Sequence, residues 1–224
     1  MKKIMMIAAM MVATLSANAQ NEVGQISIKP TLGLNFASLT KFDDSKTRTG
    51  LNFGLEAEYG VAQNFSVTAG LFYSQQGAKV NDIVLDADWF DLNTGELGGF
   101  SFAGKATYKL DYINIPIMAQ YYVAKGFALK AGIQPGFNAL KKINLDGTLY
   151  QGGVQGGNPR SVDESYKLDG IKSFQFAIPV GLSYEYKNIV LDARYNIALT
   201  KAAKLGDSRH SVFSITLGYK IPLN

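Results

Sequence analysis

Apolar and polar residues alternate along the stretch from Leu110 to Leu140, which consists of two runs separated by the short segment 123–126. Successive residues of a β-strand point to opposite faces of a sheet, so this alternation predicts two strands joined by a tight turn. Each run is long enough to cross a bilayer at a tilt, which takes about 9–11 residues. In the second run the apolar set is Phe127, Leu129, Ala131, Ile133, Pro135 and Phe137, and the opposite set is Lys130, Gly132, Gln134, Gly136 and Asn138.

The same alternation recurs in eight segments and predicts an all-β fold. The connections between the segments are alternately long and short, and two long ones are predicted at about 76–107 and 141–170. Barrels of outer membranes have short periplasmic turns and longer extracellular loops. We therefore predict an eight-stranded antiparallel up-and-down transmembrane β-barrel with long extracellular loops and short periplasmic turns. The predicted segments are 26–36, 51–61, 65–74, 110–122, 127–140, 173–186, 189–197 and 212–221.

Aromatic residues gather near both ends of the predicted strands. Tyr59, Tyr121 and Tyr219 lie near short turns, whereas Phe53 and Phe137 lie near long connections. Two aromatic belts around an apolar band are typical of membrane barrels. The main alternative is a soluble eight-stranded barrel of the lipocalin type, in which the apolar face turns inward around a ligand. Alternation alone does not separate the two, but the belts and the small residues on the polar face favour the membrane barrel.

The N-terminus predicts export from the cytoplasm. Lys2 and Lys3 precede an apolar run at 4–15, and the small-residue sequence Ala-Asn-Ala follows at 17–19. These are the features of a secretory signal peptide, and the apolar run is too short for a spanning helix. We predict that residues 1–19 are a signal peptide cleaved after Ala19 and that residues 20–224 are an outer-membrane β-barrel domain. The expected location is the cell outer membrane.

Composition excludes several classes of function. The chain has no cysteine, which excludes disulfide bonds and thiolate metal sites. Its net charge of +4 falls to +2 when Lys2 and Lys3 are removed, which is too little for a nucleic-acid-binding domain. Charged residues make up 18% of the chain, whereas about a quarter is usual in soluble domains. We expect outer-membrane lipid around a monomer, with an envelope protein or surface ligand bound through the extracellular loops.

Eight charged residues lie on the polar face of the predicted strands and should project into the barrel lumen. Charges in a narrow interior must be paired or hydrated. Because eight-stranded barrels are filled by side chains, we expect a plug of ion pairs, with a proton or ion pathway as the alternative. We expect Arg194 to cross the lumen to Glu56 or Glu58. The lumenal charge cluster comprises Lys29, Glu56, Glu58, Lys130, Glu185, Asp192, Arg194 and Lys220.

Three other features suggest chemistry, and each has a simpler interpretation. His210 follows Asp207 and Ser208, but residues so close in sequence seldom form a catalytic triad. An acidic connection could bind calcium, although its spacing does not fit the twelve-residue calcium loop. The glycine-rich run 152–157 lacks the ending of a phosphate loop. We therefore expect no catalytic residue, no metal and no cofactor. The acidic residues of the connection are Asp82, Asp86, Asp88 and Asp91.

Several short motifs resemble the PorT-type outer-membrane β-barrel proteins of Bacteroidota. They lie at 112–117, 130–136, 176–182, 192–195 and 216–220. The resemblance covers the chain from about Ile26 onward and implies an eight-stranded barrel. The founding member of the family is associated with type IX secretion and gliding, so the resemblance also implies a role in the cell envelope.

The expected function is that of a non-enzymatic integral outer-membrane protein with a structural, surface-binding or secretion-associated role. One alternative is a narrow channel or small-solute transporter. A second alternative is an enzyme with its site at the barrel rim, using His210.

Overall fold

A computed structural model describes residues 22–40, 45–90, 97–151, 159–168, 170–202 and 208–223. The signal peptide predicted for residues 1–19 lies outside the described residues. No helix in the described part of the chain is long and apolar enough to cross a membrane. The strands are β1 (Ile26–Leu39), β2 (Ser45–Ala62), β3 (Phe65–Phe90), β4 (Leu97–Asn114), β5 (Ile117–Ala124), β6 (Phe127–Gln151), β7 (Pro159–Lys167), β8 (Phe174–Tyr186), β9 (Ile189–Ala198), β10 (His210–Tyr219) and β11 (Ile221–Pro222).

The described strands close into an antiparallel ring with eight positions, as predicted. The eight positions are occupied in order by β1, β2, β3, the pair of β4 and β5, β6, β8, β9 and β10. β10 pairs with β1 and completes the ring. β4 and β5 share one position because both pair with β3 and β6, and they are separated only by Ile115 and Pro116. Proline has no N–H for the ladder, so a strand is readily interrupted there. β7 lies outside the ring and pairs with β6, and β11 pairs with β1.

Tight turns connect the ring at the end that we assign to the periplasm. Lys187 and Asn188 join β8 to β9 with φ angles of 46° and 70°. Two successive positive φ angles define a type I′ turn, whose twist matches that of the flanking strands. Gly126, with a φ of 71°, turns β5 into β6. The turns predicted at these positions are confirmed.

The facing of the strands follows the alternation, with apolar residues outside. On β10, Leu217 is 57% exposed, whereas its neighbour Thr216 is 5% exposed and faces the lumen. Leu191 and Tyr195 on β9 are likewise exposed, and Arg194 between them is buried. An aliphatic outer surface of this kind suits a lipid environment. The soluble barrel with an inward apolar face is therefore wrong for this chain.

An outer aromatic row marks the far edge of the apolar surface. It consists of three directly paired contacts between neighbouring strands, with ring centroids 5.4 to 6.3 Å apart. Because long connections of outer-membrane barrels are extracellular, we assign this row to the extracellular side. The three pairs are Phe36–Phe213, Phe53–Tyr73 and Phe137–Phe174.

Beyond this row, the two long connections predicted at 76–107 and 141–170 are mostly strand, so that prediction is wrong. β3 continues to Phe90, β6 continues to Gln151, and β7 (Pro159–Lys167) lies within the second connection. Register irregularities, one between Val80 and Ile83, shift the phase of the alternation and obscure it in the sequence. The segments 75–90, 97–111, 140–151 and 159–167 pair in the order β3, β4, β6, β7 and are called the outer sheet below.

Candidate functional site: the charged barrel interior

The structure places the eight charged residues named from the sequence inside the barrel. They lie on inward positions of β1, β2, β6, β8 and β9 and directly after β10. Seven are buried, and the side chain of Glu185 is 15% exposed. Four are cations and four are carboxylates, and they divide into a central group and a periplasmic group. The central group is Lys29, Glu56, Lys130, Asp192 and Arg194, and the periplasmic group is Glu58, Glu185 and Lys220.

Glu56 is the centre of the interior network. Its Oε1 lies 2.7 Å from Nζ of Lys29 and 2.8 Å from Nζ of Lys130. Its Oε2 accepts a hydrogen bond of 2.9 Å from Nη2 of Arg194. Glu56 on β2 thus holds cations from β1, β6 and β9, so one carboxylate ties together strands from around the ring. The carboxylate itself is 1% exposed.

Asp192 supplies the second carboxylate of the central group. It is two residues from Arg194 on β9, so both side chains point to the same face. Its Oδ2 lies 2.8 Å from Nζ of Lys130 and 3.2 Å from Nη2 of Arg194. The guanidinium carbon of Arg194 is 5.5 Å from the ring centroid of Phe72, which adds a cation–π contact. Three cations therefore share two carboxylates in a closed network.

The periplasmic group is organised around Lys220. Its Nζ lies 3.3 Å from Oε1 of Glu58 and 3.1 Å from Oε2 of Glu185. Oε1 of Glu58 also accepts hydrogen bonds from Ser66, at 2.9 Å, and from Tyr122, at 2.8 Å. Of the two partners named from the sequence for Arg194, Glu56 contacts it and Glu58 contacts Lys220 instead.

A neutral polar layer fills the lumen on the extracellular side of the charges. Nδ2 of Asn35 donates to Oγ of Ser74 at 2.8 Å, and Oγ of Ser214 donates to Oδ1 of Asn35 at 2.7 Å. These three residues come from β1, β3 and β10, so the contacts again bridge separate strands. Buried polar groups are costly unless they are hydrogen-bonded, and these contacts supply partners to Asn35, Ser74 and Ser214 within the protein. The interior is therefore filled by side chains from the periplasmic group to this layer.

The network can bind and orient charge. A buried ion pair offsets its desolvation only with good geometry and further hydrogen bonds, and this network has both. Among the described residues, no group of three histidine, cysteine or acidic residues could hold a metal ion. Asp82 and Asp86 lie on β3, and Asp91 lies outside the described residues; nothing is described of the Asp88 side chain.

His210 lies inside the barrel rather than at an open rim. It is the first residue of β10 and is 2% exposed. Its Nε2 is 3.3 Å from the hydroxyl oxygen of Tyr112, and the two rings pack edge to face at 5.3 Å. Asp207, which was considered with it, lies outside the described residues, as do residues 152–157 of the glycine-rich run. The imidazole is therefore shielded from solvent.

Sequence analysis missed an ion pair in the barrel wall. Nη1 of Arg48 lies 3.1 Å from Oδ1 of Asp111 and also donates to the carbonyl oxygen of Gln76. Oδ2 of Asp111 accepts a hydrogen bond of 2.9 Å from the hydroxyl of Tyr73. Arg48 passes into a break in the β2–β3 ladder between Thr47 and Asn52. No local pattern in the sequence predicts this ion pair, because it depends on the register break between β2 and β3.

Comparison with solved structures finds similarity to several bacterial proteins. The attachment invasion locus protein Ail of Yersinia pestis is 17% identical, with a TM-score of 0.44, and the match covers 89% of this chain and 100% of Ail. Neisserial surface protein A is 14% identical, with a TM-score of 0.44 and coverage of 88% and 97%. The N-terminal β-barrel domain of OprF from Pseudomonas aeruginosa is 9% identical, with a TM-score of 0.35 and coverage of 90% and 100%.

Comparison with protein families gives a firmer result. No curated protein matches the sequence. Residues 18–204 match the family described as outer membrane protein beta-barrel domain, and this match spans well over half of the chain. The chain therefore belongs to the outer membrane protein beta-barrel domain family, and its location is the outer membrane.

Proposed function

We propose that this protein is a non-enzymatic surface-binding protein, in which a sealed barrel anchors the outer sheet above the membrane. The observation that carries the proposal is the length of the strands. β3 and β6 have 26 and 25 residues, whereas about 9–11 residues cross a bilayer. The excess lies on the extracellular side and is paired into the outer sheet. A rigid sheet outside the membrane is suited to contact with a partner.

The edge of the outer sheet offers a specific binding mode. In the described residues, β7 pairs only with β6, so the other edge of β7 has no strand beside it. An exposed edge presents a row of N–H and C=O groups that an extended peptide can extend by strand addition. The residues of β7 are almost all exposed. We propose this edge as the first place to seek an envelope protein or surface ligand.

The narrow channel is the second candidate, and the filled interior weighs against it. Conduction requires a continuous aqueous path, whereas Glu56, Lys130 and Arg194 join side chains across the lumen. The burial of His210 argues against an enzyme with its site at the barrel rim. Both alternatives need a cavity open to solvent beside the residues in question.

Planar-bilayer recording tests the proposal against the channel. The purified wild-type barrel is expected to show no steady conductance, because the central group closes the lumen. Two results together would contradict the sealed anchor. The wild type would show a stable ohmic conductance, and the Arg194→Ala variant would show a conductance with a different ion selectivity. A photo-reactive residue in place of Ser165 on β7 tests the binding edge in whole cells, with Lys125 in a periplasmic turn as the control position.

We further propose that the protein is a monomer, that it is of the PorT type within this family, and that its source is a member of the Bacteroidota. The motifs at 112–117 and 130–136 support this, and a secretion-associated role would then be one form of the partner binding proposed above. We also propose that residues 1–19 are removed on export. N-terminal sequencing of the protein purified from outer membranes is expected to begin at Gln20.

A further inference from the structure

Five lysines lie together on the outward face of the outer sheet and of the adjoining end of β2, and they are called the lysine belt. Lys109 on β4 pairs directly with Lys142 on β6, and Lys142 pairs directly with Lys167 on β7. One pleat farther out, Lys46 on β2 pairs directly with Lys79 on β3. Residues opposite each other in neighbouring strands point to the same face, so the register places these side chains side by side across five strands.

This arrangement is unfavourable without an external anion. Like charges directly opposite each other destabilise a sheet. Within the described part of the chain, none of the five lysines forms an ion pair. Of the acidic residues nearest to the belt on this face, Asp111 lies one pleat farther in and is already paired with Arg48. Asp146 and Asp163 lie two pleats farther out, level with Lys105. Among the described residues, the belt is therefore a row of like charges that no ion pair within the chain neutralises.

The belt lies on the lipid-facing side of the molecule. On β3, Leu71, Tyr73 and Gln75 occupy alternate outward positions, and Gly77 continues this series in the same pleat as Lys109 and Lys142. The neighbouring inward position on β4 is Leu110, which is 1% exposed. The lysines thus continue the surface that meets lipid lower down the barrel.

The height of the belt matches the polar layer of the membrane. Ile113 is an exposed apolar residue paired with Phe137 of the outer aromatic row. Lys109 follows it four residues farther up β4, a distance of about 13 Å along the strand. A strand tilt of about 40° reduces this to about 10 Å of height. The headgroup region of a leaflet is about 5–8 Å thick, so a lysine side chain at this height reaches it.

We propose that the lysine belt binds the phosphate groups of lipids in the outer leaflet of the membrane that holds the barrel. Ammonium groups are compact charges suited to phosphate, and several in a row suit a lipid with more than one phosphate. The commitment to a lipid rather than a soluble anion rests on the height and facing of the belt. Bound phosphates would neutralise the like-charge row and would fix the outer sheet at a defined height.

Native mass spectrometry in a zwitterionic detergent tests the proposal with bisphosphorylated lipid A as the probe. Wild-type protein is expected to retain lipid A, and the triple variant K109Q/K142Q/K167Q is expected to bind it about 100-fold more weakly, at about fivefold for each lysine near an anionic surface. The control triple K105Q/K125Q/K187Q removes the same charge elsewhere and should bind as the wild type does. Equal binding by both triples, or equal binding of dephosphorylated lipid A by the wild type, would overturn the proposal.

Two further arms separate the sources of phosphate and keep the test independent of folding. Inorganic phosphate should not displace lipid A from the wild type, and displacement would indicate a soluble-anion site instead. A sulfated polysaccharide that binds through the belt while lipid A does not would also contradict the proposal. In thermal unfolding, the belt triple should raise the melting temperature in zwitterionic micelles and lower it in vesicles containing lipid A. The same sign in both would mean that the belt is merely solvated.

Discussion

The barrel interior and the outward face of the outer sheet differ in whether their charged side chains form ion pairs within the described structure. Inside, each of the eight lumenal charges has an opposite charge within 3.3 Å. Outside, Lys142 lies between Lys109 and Lys167 with no ion pair among the described residues. β2 and β6 carry members of both sets, and on β6 Lys130 and Lys142 are only a dozen residues apart.

The difference reflects what each environment can supply. A charge in the filled lumen has little water and no lipid near it, so the chain itself must provide the partner. A charge at the membrane surface can be paired by headgroups or hydrated, so the chain need not pair it. Internal pairing therefore contributes to the stability of the barrel, whereas unpaired surface lysines point to an external anion.

The largest change in the free energy of unfolding is expected from Glu56→Gln, which removes the central carboxylate of the interior network. It leaves Lys29, Lys130 and Arg194 facing the single carboxylate of Asp192. Leaving buried charges without a partner costs about 3–5 kcal/mol in free energy of unfolding. Urea-driven unfolding from detergent micelles measures this change. The folded fraction is followed by gel electrophoresis of unheated samples, in which a folded barrel and the unfolded chain differ in mobility.

A matched control for that variant is Thr68→Val on β3. Thr68 is fully buried and inward, and its hydroxyl oxygen has no hydrogen-bond partner within the described structure. Replacing it by a residue of similar shape should leave stability unchanged or slightly higher. Arg194→Ala should cost less than Glu56→Gln, because Glu56 keeps both lysines. Equal stability of Glu56→Gln and Thr68→Val would show that water, rather than protein, surrounds the central group.

An intermediate effect is expected from Lys220→Met in the periplasmic group. The change leaves Glu58 and Glu185 without their cation. Glu58 keeps its hydrogen bonds from Ser66 and Tyr122, and Glu185 is partly exposed, so the loss should be about 1–3 kcal/mol. The same urea titration measures it, and a loss as large as that of Glu56→Gln would mean that the two groups act as one network.

The smallest effect, with the opposite sign, is expected from Lys142→Gln on the outer sheet. Removing the middle lysine of a like-charged row should raise the free energy of unfolding in zwitterionic micelles by about 0.5 kcal/mol. The control is Lys105→Gln, because Lys105 lies directly opposite Asp146 and its loss should not stabilise. Thermal unfolding at low salt measures both variants. Destabilisation by Lys142→Gln in neutral micelles would show that Lys142 is stabilised by contacts within the protein, as the interior charges are.

Sequence periodicity reached its limit at the outer sheet. From Phe65 to Ser74 the alternation holds at every position except the inward Phe72, because lipid on one side and a narrow lumen on the other select different residues. Beyond the outer aromatic row this selection relaxes, and the register irregularity after Val80 inverts the phase. Glycine and aspartate there were typical of loops, yet pairing of β3 with β4 continues to Phe90 and Leu97.

The sequence by itself determined the number of strands in the ring, their facing and the identity of the lumenal charges, because each follows from a period of two along one strand. The tertiary structure decided which charges meet. Glu56 and Arg194 are 138 residues apart and join across a closed lumen, so no local pattern selects that pair over Glu58. The lysine belt is likewise a product of register, since Lys109, Lys142 and Lys167 become neighbours only when β4, β6 and β7 pair. Alternation sets the face of a residue, whereas closure and register set its neighbours.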